Sequence, residues 1–180
     1  MNRLRLATVW LGGCSGCHMS FLDLDEFLID LAGAVDLVFS PFVDAKLYPE
    51  GVDAVLVEGA IANAEHLTLV RQVRARTRTL ISLGDCAVTG NVTAMRNRLG
   101  PALPVLTRIY KDRGDLHAAT PTEAGILPPL VDRVTPVHAV VNVDLYIPGC
   151  PPPAARIRAV LEQLIAGAPL RLEGGDIRFG

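Results

Sequence analysis

The sequence predicts an α/β fold in which helices cover both faces of a parallel five-stranded sheet. Five short apolar runs alternate with segments whose apolar residues recur every three or four positions, the spacing of an amphipathic helix. Glycines and prolines concentrate where the apolar runs end. Strands that alternate with helices favour right-handed crossovers and a doubly wound sheet. We therefore expect the strand order 2-1-3-4-5, which is flavodoxin-like.

The first half of the chain predicts three strands and two helices. Apolar residues recur at helical spacing between Phe21 and Leu31, which predicts a helix that Gly33 ends. Asn63 is expected to cap a second helix that extends to about Arg76. The third strand is apolar almost throughout, so we expect it to be buried on both faces. The three strands are residues 4–10, 35–40 and 52–57.

The second half predicts two further strands, at residues 79–83 and 143–147, and a last helix at about 154–166. Between residues 91 and 142 only short periodic pieces occur among prolines. A loop-rich span of that length inside a compact domain usually serves a function or covers a partner. We expect a single domain over residues 1–180 with a loop-rich insertion at about 91–142.

Composition and charge narrow the class of protein. Half of the residues are hydrophobic and 20% are charged, which is typical of a globular protein in solution. The formal net charge of −2 provides no basic field for nucleic acid or acidic lipid. No apolar stretch reaches the ~18–20 residues of a membrane span, and no convincing signal peptide precedes the first strand. We expect a cytoplasmic protein with no nucleic-acid partner and no membrane span.

Four cysteines lie just beyond the carboxyl ends of predicted strands. Cys14 and Cys17 occupy a glycine-rich loop after the first strand, Cys86 follows the fourth strand, and Cys150 follows the fifth. The carboxyl ends of strands one, three, four and five are neighbours in the predicted order, where such sheets bind ligands. We expect the four cysteines to gather there together with Glu58, which follows the third strand.

Four converging thiolates suit either an iron–sulfur cluster or a zinc ion. Structural zinc usually takes paired short spacings, whereas this chain has one Cys-x-x-Cys and two single cysteines, which favours a cluster. Two other interpretations are possible in principle. The four cysteines could be buried and serve only as small apolar residues. Cys14 and Cys17 could instead form a redox-active dithiol, but that interpretation leaves Cys86 and Cys150 unexplained. A flavin-binding protein is disfavoured because the first loop lacks a Ser/Thr-rich run for the phosphate.

Four motifs together closely resemble the small subunit of nickel–iron hydrogenases, in order and over most of the chain. They are Trp10-Leu11-x-x-Cys14-x-Gly16-Cys17, Val57-Glu58-Gly59-Ala60-Ile61, Gly84-x-Cys86-Ala87-x-x-Gly90 and Ile147-Pro148-Gly149-Cys150-Pro151-Pro152. The resemblance implies that Cys14, Cys17, Cys86 and Cys150 are the ligands of one 4Fe–4S cluster, the proximal one. It also implies a separate large subunit that carries the nickel–iron site and supplies the electrons.

The length of the chain indicates which group of these hydrogenases it resembles most. Neither the twin-arginine leader nor the two-cluster carboxyl-terminal domain of membrane-bound and periplasmic relatives is seen in the sequence. The short form resembles the small (delta) subunit of cytosolic bidirectional NAD(P)-reducing hydrogenases, in which diaphorase subunits with flavin and iron–sulfur clusters receive the electrons. Two alternatives are a related subunit of complex I, which usually has adjacent cysteines in the first loop, and the small subunit of an F420- or sulfur-reducing hydrogenase.

Three further residues next to the cysteines have more than one interpretation. Glu58 is a possible proton relay, a hydrogen-bond anchor for the cysteine loop, or an exposed loop carboxylate. We expect His18 to be an ordinary residue at the start of a helix rather than a neighbour of the cluster. Asp85 is interpreted as a turn residue rather than a ligand.

Overall fold

A computed structural model describes residues 3–112, 119–120, 123 and 125–179. Its main sheet contains five parallel strands, and a separate antiparallel pair forms a small second sheet. The strands are β1 (Leu4–Trp10), β2 (Val35–Phe39), β3 (Val52–Glu58), β4 (Ile61–Asn63), β5 (Thr77–Leu83), β6 (Leu130–Thr135) and β7 (Leu145–Ile147). The main sheet has the order β2-β1-β3-β5-β7, and these are the five strands expected from the sequence. The predicted order 2-1-3-4-5 is therefore confirmed.

Helices cover both faces of the main sheet, as in a doubly wound fold. The helices are α1 (Gly16–Leu22), α2 (Phe27–Ala34), α3 (Ala64–Arg76), α4 (Asp85–Thr89), α5 (Ala102–Tyr110) and α6 (Ala154–Ile165). On one face, α1, α2 and α6 pack apolar side chains against Leu6, Leu56 and Ile81. On the other face, α3 and α4 pack against Val55 and Leu80. The central strand β3 is buried along almost its whole length, as predicted.

The prediction of one helix between Phe21 and Gly33 is wrong in one respect, because the structure contains two helices there. A turn separates α1 from α2, and Asp25 in that turn has a φ of +49°. The apolar spacing continues across the turn because Phe21, Leu24 and Phe27 all enter the same core. Gly33 also lies within α2 rather than after it. Periodicity alone does not reveal such a break.

Asn63 caps α3 as predicted, since its side-chain oxygen accepts a hydrogen bond of 2.8 Å from the backbone N–H of His66. The bond satisfies one of the backbone donors at the start of the helix. Within the described parts of the chain, no helix is long and apolar enough to cross a membrane.

The segment from 91 to 142 contains more regular structure than its sequence indicates. Besides α5, it includes a 3₁₀-helix at Thr93–Leu99 and strand β6, which pairs antiparallel with β4. The side chain of Asn97 joins these parts, because its amide donates to the carbonyl of Val134 at 2.9 Å and accepts from the Val134 N–H at 2.8 Å. Residues 113–118, 121–122 and 124 of this segment lie outside the described residues. The single domain over 1–180 stays a prediction.

The packing of the core predicts that two leucine substitutions differ greatly in their effect on stability. Leu56 in β3 is fully buried, whereas the Leu47 side chain is 84% exposed. We expect Leu56→Ala to lower the free energy of unfolding by about 2–5 kcal/mol, because it removes buried methyl groups and leaves a cavity. Leu47→Ala should change it by less than about 0.5 kcal/mol. Urea denaturation of both variants measures the difference, and equal effects would contradict the packing described above.

Candidate metal centre

The structure places every cysteine beyond the carboxyl end of a strand of the main sheet. Cys14 lies in the loop after β1, and Cys17 lies in the first turn of α1. Cys86 lies in α4 directly after β5, and Cys150 follows β7. All four are free thiols; Cys17 is buried, Cys86 is half-buried, and Cys14 and Cys150 are exposed. The site is therefore open to solvent on one side.

Main-chain hydrogen bonds join the Cys86 loop to the Cys150 loop. The Gly84 N–H donates to the carbonyl of Ile147 at 2.8 Å, and the Asp85 N–H donates to the carbonyl of Gly149 at 2.9 Å. In return, the Asp85 carboxylate accepts from the Gly149 N–H at 2.6 Å. Asp85, interpreted from the sequence as a turn residue, begins α4 and ties the two loops together.

Gly84 brings the Cys86 loop against Cys17. A Cβ added at Gly84 would lie 2.1 Å from the sulfur of Cys17 and 3.4 Å from the carbonyl oxygen of Gly149. The backbone of Gly84 also has φ +80° and ψ 162°, a region that is essentially restricted to glycine. Three cysteine loops thus meet at a position where no other side chain fits.

Burial and neighbouring negative charge raise the pKa values of the two inner thiols, Cys17 and Cys86. Burial raises the pKa of Cys17 most, followed by the negative charge of Glu58 and then by Cys86, Cys14 and Cys150. Burial also raises the pKa of Cys86, hydrogen bonds from Thr93 lower it, and Cys150 and Cys14 raise it again. A metal that binds these thiols must displace their protons, so its binding is coupled to proton release.

Two kinds of metal centre take four cysteine ligands. Over the described residues, no three histidine, cysteine or carboxylate side chains form a group that could hold a single metal ion. Zinc draws its four ligands to about 2.0–2.3 Å from one atom. A 4Fe–4S cluster also takes four cysteine thiolates, but each of them binds at a different iron atom.

Glu58 lies at the centre of a buried polar network beneath the first cysteine loop. It is the last residue of β3, and only 1% of it is exposed. One carboxylate oxygen accepts a hydrogen bond of 2.9 Å from the His18 N–H and also contacts the ring nitrogen Nδ1 of His18. The other ring nitrogen of His18 lies 3.0 Å from the hydroxyl of Thr8, which bonds to Ser40 at 2.8 Å. The interpretation of Glu58 as an exposed loop carboxylate is therefore wrong.

The expectation for His18 was also incomplete. His18 is 3% exposed and follows Cys17 directly, so its bonds to Glu58 fix the turn that presents the Cys17 sulfur. Sequence reasoning missed this role because one histidine at a helix start carries no pattern that distinguishes a buried position from an exposed one. Its partner Thr8 lies in an apolar strand, where a buried hydroxyl needs a hydrogen-bond partner.

The segment after β3 holds the first cysteine loop through its main chain. The Leu11 N–H donates to the carbonyl of Glu58 at 2.8 Å, and Gly12 and Ala60 exchange hydrogen bonds of 2.9 and 2.8 Å. Gly59 permits this approach, because an added Cβ would lie 2.9 Å from the backbone of Leu11 and its φ is +89°. The Glu-Gly-Ala sequence therefore adds a short antiparallel bridge beyond the parallel pairing of β1 and β3, next to the first cysteine loop.

Two hydrogen bonds reach the sulfurs of the exposed cysteines. The Gly16 N–H donates to the sulfur of Cys14 at 3.4 Å. The side-chain amide of Asn91 donates to the sulfur of Cys150 at 3.4 Å. Sequence reasoning missed Asn91, which lies in the segment that was expected to be loop-rich. Its position directly after Gly90, the last residue of the third motif, was the one signal that it lies near the cysteines.

Exposed apolar side chains flank the site. Trp10 ends β1, Met19 lies in α1, and Phe42 packs edge-on against the ring of His18. Val92 and Met95 lie beside Asn91 and are also exposed. We refer to Trp10, Met19, Phe42, Val92 and Met95 as the apolar rim. Exposed apolar residues grouped around a site mark a surface that binds another protein.

The fold and the converging cysteines define a class of α/β oxidoreductase subunit. A family model described as NADH ubiquinone oxidoreductase, 20 Kd subunit, matches residues 14–164, and the chain belongs to this family. Within it, the chain is 37% identical to the NAD-reducing hydrogenase HoxS subunit delta of Cupriavidus necator, over 99% of this chain and 86% of that protein. The resemblance to hydrogenase small subunits indicated by the four motifs is confirmed.

Two further comparisons agree with this assignment. A crystal structure of an NAD+-reducing [NiFe]-hydrogenase in the H2-reduced state contains a chain that matches with a TM-score of 0.91 and 37% identity. The match covers 99% of this chain and all of that one. The chain is also 35% identical to a subunit of the F420-non-reducing hydrogenase of Methanothermobacter marburgensis, over 98% of its own length but only 58% of that protein.

The contact between Gly84 and Cys17 predicts different effects for two glycine substitutions. Gly84→Ala should lower the free energy of unfolding by about 1–3 kcal/mol or more, since alanine is strained at this φ and its Cβ collides with the Cys17 sulfur. Gly33→Ala, within α2 and with nothing within 4 Å of the added Cβ, should be neutral or raise it by about 0.5–1 kcal/mol. Urea denaturation measures both, and an unaffected Gly84→Ala variant would contradict the close approach of these loops.

Proposed function

We propose that the chain is the electron-transfer small subunit of a cytoplasmic nickel–iron hydrogenase that reduces NAD(P). In this proposal, Cys14, Cys17, Cys86 and Cys150 hold one 4Fe–4S cluster between the H2 site of a large subunit and a diaphorase. The observation that carries it is the meeting of four free thiols at one sheet edge, in a chain 37% identical to a delta subunit of that enzyme class.

The residues of the site fit a cluster of this kind. Four cysteines and no other side chain are the usual donor set of a 4Fe–4S cluster. Gly84 leaves the volume beside the Cys17 sulfur free of side-chain atoms. The burial of Cys17 limits the access of water to that sulfur, and solvent exposure is one of the factors that set the potential of such a cluster.

A bound cluster supplies one-electron chemistry, and the chain determines where the electron is held and at what potential. The main-chain bonds among the loops fix the positions of the sulfurs. The Gly16 N–H and the Asn91 amide place positive partial charge beside Cys14 and Cys150, which favours the more negative, reduced state. Glu58 opposes them, since its carboxylate adds negative charge near Cys17.

The proposed partners follow from the apolar rim and from the comparisons. The rim residues are exposed and belong to segments next to the cysteine loops, which supports a large subunit that docks there and donates electrons directly. The diaphorase partner is proposed from the similarity to the delta subunit. A second candidate, a subunit of a complex I-like quinone reductase, is favoured by the description of the matching family model. Co-purification followed by identification of the accompanying chains distinguishes the two candidates.

We further propose that Glu58 anchors the first cysteine loop rather than relaying protons. Its carboxylate already accepts both the main-chain and the ring N–H of His18 and lies under Gly13, where an added Cβ would be 3.5 Å from the second oxygen. An oxygen bonded in this way holds the turn before Cys17 in place. The buried network satisfies its polar groups internally, as a stable buried carboxylate requires.

The ligand assignment predicts the loss of the cluster in single cysteine variants. Cys14→Ala or Cys150→Ala should abolish cluster assembly and hydrogen-driven reduction of NAD(P). Iron and sulfide per chain, together with the visible spectrum of the purified complex, measure assembly. The control is Ser15→Gly, which removes only a side chain bonded to the carbonyl of Cys14 and keeps its left-handed backbone accessible. Normal iron content in either cysteine variant, or colourless zinc in the parent protein, would contradict the assignment.

The role of Glu58 predicts different results for two substitutions. Glu58→Ala leaves the buried donors of His18 without an acceptor and should reduce the iron content several-fold. Glu58→Gln retains one acceptor oxygen and should keep most of the iron and of the H2-dependent NAD(P) reduction. Glu50→Gln is the control, because it changes an exposed carboxylate that pairs with Arg76 at the opposite edge of the sheet. A Glu58→Gln complex with full iron and no turnover would instead indicate a proton relay.

A further inference from the structure

Asn91 has an unusual backbone conformation beside the fourth cysteine. Its φ is +34°, in a region that asparagine, aspartate and glycine adopt more readily than other residues. It follows Gly90, which ends α4 with a φ of +87°, so the helix that carries Cys86 stops directly before Asn91. The amide nitrogen of Asn91 lies 3.4 Å from the sulfur of Cys150.

The direction of this hydrogen bond follows from the chemistry of its two groups. A metal-bound cysteine sulfur is a thiolate, which only accepts hydrogen bonds, and the amide nitrogen of Asn91 only donates them. A donor aimed at the sulfur stabilises negative charge on it. Because reduction adds an electron to the cluster, the bond stabilises the reduced state more than the oxidised state and raises the reduction potential.

The segment that presents Asn91 is fixed at two further points. The hydroxyl of Thr93 donates to the carbonyl of Gly12 at 2.9 Å, which ties this segment to the first cysteine loop. Asn97 bonds to the main chain of Val134 in β6 through both ends of its amide. The main chain that follows Asn91 is thus held between the first cysteine loop and the small sheet.

We propose that Asn91 is a positioning residue that raises the reduction potential of the cluster through its hydrogen bond to Cys150. The inference rests on the proposed function, since it requires that Cys150 is a ligand of the cluster. The segment after α4 is not part of any of the four motifs, and the proposal gives it a role in electron transfer.

A redox titration of the purified hydrogenase complex, followed by electron paramagnetic resonance, tests the proposal. Asn91→Gly and Asn91→Asp both tolerate the positive φ. Asn91→Gly should make the equilibrium for reduction of the cluster less favourable by up to about fivefold, the factor that corresponds to the whole of one ordinary hydrogen bond. The midpoint potential then becomes more negative. Asn91→Asp, which replaces the donor by a negative charge, should shift it further in the same direction.

The matched control is Asn142→Gly, which removes the same side chain just before β7, at the edge of the sheet opposite the cysteines, and leaves the main-chain carbonyl that bonds to Arg74. It should leave the midpoint potential unchanged. An unchanged potential in Asn91→Gly with a normal cluster signal overturns the role of Asn91 and leaves the proposed function intact. A parent complex in which this chain has no iron–sulfur signal overturns both.

Discussion

The site depends on one constraint: segments far apart in the chain must end at the same edge of a parallel sheet. The register of β3, β5 and β7 places Glu58, Leu83 and Ile147 side by side, and the hydrogen bonds of Gly84 and Asp85 extend this alignment into the loops. The positions of the sulfurs therefore follow from strand pairing, which a buried apolar core stabilises on both faces.

A second requirement is that the polar groups beneath the site are satisfied without water. A carboxylate, an imidazole and two hydroxyls are buried between the sheet and the first cysteine loop, where an unpaired polar group would be costly. Each of these groups bonds to another member of the set. Such a network has few alternative arrangements, so it restricts the turn that presents Cys17 more closely than apolar packing alone could do.

The main sheet and the grouping of the cysteines were predictable because both produce local signals. Each strand of the main sheet is an apolar run, and each cysteine lies within two residues of a glycine or proline just beyond such a run. The break between α1 and α2 gave no signal, since the apolar spacing crosses it. Strand β6 was missed because it contains Asp132 and Arg133 and pairs with β4, about seventy residues earlier in the sequence, which no local pattern reveals. His18 and Asn91 owe their roles to contacts across 40 and 59 positions.

The unequal exposure of the four thiols bears on how the proposed cluster would be inserted. Cys17 is buried, whereas Cys14 and Cys150 are exposed, as are the side chains of the apolar rim. In the proposed function, a cluster would reach Cys17 past the two exposed thiols, and a large subunit docked on the apolar rim would cover them. Folding, cluster insertion and docking would then occur in that order.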